Sequence, residues 1–265
     1  MGAEPGPTGP YVCPACRSPV ARAGDVLRCS GCSAAYPILG GIPDFLPRHA
    51  DAMSGAMDTL APLYETRLWY PVVLRIFGGA GVPSAAEAVR MVRERAAVAA
   101  GRILDVACGP GTVSRGMASP SRPVYGVDVS MGMLRQGRDL AIREGVRDVR
   151  FARADVAALP FPDGTFDAAV CSGALHLFPD PAAALREIAR VSRPGARLAV
   201  LTFVLGAEDN PRLRRLRERA WERRRGTRPF EPTSLERLVR EAGFEGFEAD
   251  VRGALVVFGA RRSGP

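Results

Sequence analysis

The chain has 265 residues, 47% of them hydrophobic, which is enough for one full α/β domain and a small appendage. No run of 18 apolar residues occurs, so no transmembrane helix is expected, and the start Met1-Gly2-Ala3-Glu4-Pro5 has neither the basic opening nor the apolar core of a signal peptide; a soluble, cytoplasmic protein is expected. The formal net charge is +8 with no lysine at all, and nine Arg against two Glu in residues 212–228 carry +7 of it, so the excess is one basic segment and not a basic protein.

In chain order, the first motif is Cys13-Pro14-Ala15-Cys16 followed, after 12 residues, by Cys29-Ser30-Gly31-Cys32. Two C-x2-C knuckles can turn four thiolates toward one point, which predicts a structural Zn2+ held by Cys13, Cys16, Cys29 and Cys32 in a small ribbon over residues 1–48. Two disulfides are the rival pairing. The ribbon is expected to be a staple for a segment too short to have its own core, with direct contact to a substrate as the other possibility. Residues 49–98 read as a linker with His49, then a helical cap from Asp58 to Phe77, then a helix over 84–100.

Ile103-Leu104-Asp105-Val106 reads as a buried strand. A turn with Gly109 and Gly111 follows, and a helix is expected to start at Thr112 or Val113. Four more strands are expected: Val124–Asp128, Val149–Asp155, Phe166–Ser172 and Arg197–Phe203, the last entered through a Pro194-Gly195 turn. Three of the five end in an acid, at Asp105 (one residue before the end), Asp128 and Asp155. Such acids face the crevice where open α/β sheets bind ligands. Residues 206–232 interrupt the pattern, with Leu213, Leu216, Ala220 and Trp221 at helical spacing among the arginines, and read as a lid helix. Thr233-Ser234-Leu235-Glu236 reads as a capping box for a helix ending at Gly243, and 244–251 with 254–260 as a final hairpin.

Over residues 99–260 these segments, in order, resemble the class I S-adenosylmethionine-dependent methyltransferases of the ubiquinone/menaquinone type. "ILDVACGPGT" resembles the family's first motif, with Ala107 where its first glycine stands; Ala107 is expected to keep φ negative. "VYGVDVSMGML", "ARADVAALPFPDGTFDAAV" and "LREIARVSRPGARLAVLTF" resemble the motifs that follow. The resemblance implies a doubly wound Rossmann-like sheet, mostly parallel with an antiparallel last strand, over residues 99–265. It implies S-adenosylmethionine as cofactor, with Asp128 on the ribose, Val129 and Met133 flanking the adenine, and Asp155 and the Val156 amide on the adenine edge. Ala107, Gly109, Gly111 and Ser172 complete the implied site, and Tyr64 of the cap either closes over the cofactor or packs the helix. A ribbon ahead of such a domain also resembles an arrangement found in some bacterial and plastid methyltransferases.

The chemistry of the donor agrees with the turn. Residue 114 is Ser, where an NAD-type G-x-G-x-x-G turn, which puts a pyrophosphate on a helix N-terminus, has glycine or alanine. S-adenosylmethionine has no phosphate; its ammonium needs an acid, offered by Asp105, and its carboxylate needs free amides, offered by Gly109–Gly111. His176, in Ala174-Leu175-His176-Leu177-Phe178-Pro179-Asp180 after the fourth strand, is a candidate base, or else a hydrogen-bonded residue that shapes the pocket. Thr202 and Phe203 are expected to line that pocket, and Asp167 to be structural. The expected function is methyl transfer to oxygen or carbon of a small molecule, such as a polyketide or quinone. The alternative is an rRNA guanine methyltransferase that uses the ribbon and the basic segment to bind RNA.

Overall fold

The computed structural model describes residues 9–46, 81–204 and 230–264. The linker with His49, the cap 58–77 with Tyr64, and residues 206–229 of the lid, including the basic segment, lie outside the described residues.

The N-terminal unit is a four-stranded antiparallel meander of β1 (Val20–Ala23), β2 (Val26–Cys29), β3 (Ala35–Leu39) and β4 (Ile42–Pro43). After it comes α1 (Ala85–Arg95), capped by Ser84 and stopping short of the expected Ala100. The main domain then alternates β5 (Ile103–Val106), α2 (Thr112–Met117), β6 (Val124–Asp128), α3 (Met131–Arg143), β7 (Val149–Arg153), β8 (Phe166–Ser172), α4 (Pro181–Val191) and β9 (Ser192–Phe203). It closes with α5 (Pro232–Glu241), β10 (Phe244–Arg252) and β11 (Leu255–Arg262).

Seven of these strands form one sheet in the order β10-β11-β9-β8-β5-β6-β7. β5 through β9 pair in parallel, while β11 lies antiparallel between β9 and β10. The sheet is covered on both faces, as parallel strands require. Alternate residues of each strand point to opposite faces. Ile103, Val124, Ala168, Val170 and Leu201 meet α1 and α2 on one side. Leu104, Val106, Tyr125, Val127, Ala169, Cys171 and Val200 meet α4 and α5 on the other.

Besides α1, three boundaries differ from the sequence expectation. β7 ends at Arg153, two residues before Asp155, which instead caps a short turn by accepting from the Ala157 amide. β9 starts at Ser192, because Ser192 already pairs with Phe166; Pro194-Gly195 is absorbed as a register shift inside the strand, with Gly195 at φ 79°. α5 starts at Pro232, with Glu231 in the cap position, so the Thr233 capping box does not form. Proline suits a first helical turn, and the Ser234 hydroxyl donates instead to the Glu231 carbonyl.

The ribbon does not stand apart. Its Tyr11, Leu27, Ile38 and Phe45 belong to the same buried cluster as Phe161 and Phe166. Ile42 packs with Met131, Leu134 and Phe151. The chain leaving β4 runs beside β7 in a parallel bridge, Asp44 to Arg153, and the Phe45 amide donates to the Arg153 carbonyl at 2.8 Å. This contact covers the edge strand of the sheet, which would otherwise expose unpaired backbone groups.

Candidate active site

The turn after β5 passes through left-handed conformations at Ala107 (φ 52°), Gly109 (φ 54°) and Gly111 (φ 76°). The expectation that Ala107 keeps φ negative is therefore corrected: alanine takes the glycine conformation, at a cost of about 1 kcal/mol. Glycine is required on steric grounds at Gly111, where a Cβ would stand 2.8 Å from the Phe151 ring. The same ring lies against Gly126 of β6 and Gly137 of α3, and a Cβ on Gly137 would meet the Pro110 carbonyl at 2.7 Å. Phe151 thus props the turn from below, and this role has no signature in the local sequence.

The turn's amides are already engaged. Gly109 donates to Asp128 Oδ2 at 2.8 Å, and Gly111 to the Cys108 carbonyl at 2.9 Å. Asp128 Oδ1 accepts from the Ser130 amide at 2.9 Å. The carboxylate of Asp128 therefore fixes the turn while also facing the crevice.

Asp105 is 1% exposed and accepts from the Ser114 hydroxyl at 2.6 Å. Burial pushes its carboxyl up to about 7, against the pull of its hydrogen bonds with Ser114, and the nearby Asp128 charge adds to the rise. Cys171, beneath the site, is pushed up to about 12 by burial and by the Asp105 charge, and Cys108 rises well above its usual value for the same first reason.

A cavity of about 890 Å³ opens at the carboxyl ends of β5, β6, β7 and β8. Of the residues expected at the cofactor, Ala107, Gly109, Asp128, Val129, Met133, Asp155, Val156 and Ser172 line it; Asp105 and Gly111 sit behind the wall. One Asp155 oxygen accepts from the Ala157 amide at 2.9 Å, while the Ser172 hydroxyl is buried without a hydrogen-bond partner. His176 is 4% exposed and does not line the cavity. Its Nδ1 is 3.1 Å from the Thr202 hydroxyl, and its ring meets Phe203 edge-on with centroids 5.0 Å apart. Thr202 and Phe203 are buried beside it and do not reach the cavity, contrary to expectation. Asp167 has the structural role expected: it accepts from the Arg102 amide and pairs with Arg193 at 2.6 Å.

The sequence reading missed the other wall. Pro14, Ala15, Val26, Ala35, Tyr36, Pro37, Asp44, Phe45 and Leu46 of the ribbon line the same cavity. Arg153 joins the two walls, with its Nε donating to the Val129 carbonyl at 2.7 Å and its guanidinium 3.1 Å from Asp44.

The four ribbon cysteines converge, their Sγ atoms all within 4.8 Å of one another. Cys13 and Cys32 are 3.6 Å apart, and Cys16 and Cys29 are 3.4 Å apart. These distances are far above the roughly 2.05 Å of a disulfide and near the roughly 3.8 Å edge of a tetrahedral zinc–thiolate site. The Gly31 and Cys32 amides donate to Cys29 Sγ, and the Tyr36 hydroxyl lies 3.0 Å from Cys13 Sγ. A Cβ on Gly31 would overlap Ser18, so the second knuckle needs glycine there.

Comparison with known proteins agrees with this geometry. Residues 104–200 match the family model described as a methyltransferase domain. An uncharacterized chloroplastic methyltransferase of Arabidopsis thaliana is 29% identical over 227 residues, which are 76% of this chain and 64% of that protein. The demethylmenaquinone methyltransferase of Renibacterium salmoninarum is 32% identical over 168 residues, 60% of this chain and 61% of that one. The chain thus spans less than two thirds of these relatives' length. Phosphoethanolamine N-methyltransferase 2 of Haemonchus contortus, solved in complex with S-adenosyl-L-methionine, shares the fold with a TM-score of 0.63 at 16% identity, over 84% of this chain and 62% of that one. Among the described residues no helix is long and apolar enough to cross a membrane. Residues 104–200 thus match a methyltransferase domain, and the relatives and the shared fold agree with that match.

Proposed function

We propose that the chain transfers a methyl group from S-adenosylmethionine to an oxygen or carbon atom of an uncharged small molecule of the quinone or polyketide kind. The observation that carries this reading is the charge of the cavity: among the described residues its charged lining is Asp128 and Asp155, with Asp44 already paired to Arg153, and no arginine lines it. A donor bearing sulfonium and ammonium charges suits such walls, whereas nucleic-acid phosphates would be repelled. The similarity to a demethylmenaquinone methyltransferase supports a quinone-like acceptor.

In this reading Asp128 accepts from the ribose hydroxyls with a charge-assisted hydrogen bond. Val129 and Met133 flank the adenine, and Asp155 with the Val156 amide recognises its polar edge. The buried Ser172 hydroxyl, which lacks a partner, points to a polar group of a bound molecule. Asp105 acts from behind the turn, holding Ser114 and the start of α2. Bound S-adenosylmethionine supplies an electrophilic methyl group, and the residues of the cavity align the acceptor with it and exclude water. His176 holds Thr202 and Phe203 in place and is a positioning residue. The ribbon holds one Zn2+ through Cys13, Cys16, Cys29 and Cys32.

Isothermal calorimetry with S-adenosylhomocysteine tests the reading. Binding is expected for the native chain, and binding weakened by ten- to a hundredfold for Asp128→Ala. No heat of binding from folded native protein would overturn it.

A further inference from the structure

The polar side chains of the ribbon wall are already paired. The Tyr36 hydroxyl is engaged by Cys13 Sγ at 3.0 Å. The Asp44 carboxylate is divided between Arg153 at 3.1 Å and the Leu46 amide at 3.1 Å. The backbone is committed too. β3 is paired on both sides, by β2 and by β4, and the Asp44 and Phe45 amides donate to Pro37 and Arg153. What this wall shows the cavity is carbon: the Tyr36 and Phe45 rings, whose centroids are 5.0 Å apart, with Ala35, Pro37 and Leu46. Across the cavity, Leu177, Phe178 and Pro179 are apolar as well. The polar groups expected to hold the cofactor all belong to the strand tips.

A charged or strongly hydrated group placed against such a surface loses its water and gains no hydrogen bond in return. A flat apolar group loses little and buries area on both sides. We propose that the zinc ribbon is one wall of the acceptor subsite, and that it seats an uncharged aromatic ring of the methyl acceptor. The proposal rests on the function above and deepens it: the ribbon selects the substrate and is more than a staple. The clasp of Arg153 on Asp44 and on the Val129 carbonyl holds this wall in register with the cofactor side.

The test uses 2-naphthol as the aromatic probe and S-adenosylhomocysteine as the cofactor probe, with the full-length zinc-loaded protein. Ala35→Trp adds bulk at an exposed position on β3, and Leu46→Glu places a charge on the wall. The naphthol is expected to bind the native chain in the presence of S-adenosylhomocysteine, and about tenfold more weakly to each variant. S-adenosylhomocysteine affinity is expected to stay within about twofold, which also shows that the variants are folded. Naphthol that does not bind, or binds native and variants alike while S-adenosylhomocysteine still binds, overturns the ribbon subsite and leaves the function reading intact. Failure of S-adenosylhomocysteine to bind the native chain overturns both.

Discussion

Arg153, the last residue of β7, reaches across to Asp44 of the ribbon at 3.1 Å, and both side chains are mostly buried. The pair spans 109 positions of sequence and joins two walls of one cavity. Removing one partner strands the other's charge in a poorly solvated place. Arg153→Leu is therefore expected to cost about 2–4 kcal/mol in urea unfolding. Restoring neutrality with Asp44→Asn in the same chain should recover part of that loss. Strictly additive single and double variants would show that the two side chains do not interact.

Asp105 makes stability depend on pH. Its folded carboxyl titrates near 7, above the roughly 3.9 of an unfolded chain. Between these values the folded state holds a proton that the unfolded state has released, so unfolding free energy falls as pH rises through that window. Below about 4 both states are protonated and above about 7 both are ionised, so neither region adds slope. The contribution is up to about 4 kcal/mol across the window. Asp105→Asn keeps an oxygen for Ser114 and cannot ionise. Urea titrations from pH 4.5 to 8 should show the slope in the native chain and a clear flattening in the variant.

Ala107 adopts φ 52° where glycine would be unstrained. Ala107→Gly removes about 1 kcal/mol of folded-state strain but frees the unfolded chain by about 0.4–1 kcal/mol. The net expectation is a melting temperature unchanged or raised by at most about 4 °C. A clear drop would mean that the Ala107 methyl group packs usefully against the cavity.

The cysteine cluster should bring one zinc per chain through purification, measurable by elemental analysis. Cobalt in its place should give the visible absorption of tetrahedral thiolate coordination. Tyr36→Phe removes the hydroxyl beside Cys13 Sγ and is expected to weaken the metal by roughly ten- to a hundredfold in a chelator competition. Protein that is folded and metal-free as isolated would reject the zinc assignment.

His176 is enclosed by Thr202 and Phe203. His176→Ala is expected to lower stability by about 2–3 kcal/mol while S-adenosylhomocysteine affinity stays within about twofold. His176→Gln, which can still bond Thr202, should regain part of the stability. A variant of native stability that had lost cofactor binding would place the imidazole at the ligand instead.

Much of the molecule was written locally in the chain. Apolar runs bounded by glycine and proline marked the central parallel strands, because burial on both faces of a sheet leaves few other residue choices. Asp128 at a strand tip, Asp155 just beyond one, and two C-x2-C knuckles could be read from the local sequence, since each depends on neighbours a few residues away. The tertiary structure decided what distant segments do to one another. It turned Asp105 from an expected ligand group into a buried partner of Ser114. It placed Phe151 beneath three glycines from separate elements and left His176 behind the cavity wall. It also brought the ribbon, whose covering of the β7 edge no pattern in residues 1–48 announces, into the lining of the cavity. Periodicity and capping are short-range preferences, whereas these contacts follow from close packing of surfaces that meet only once the sheet has formed.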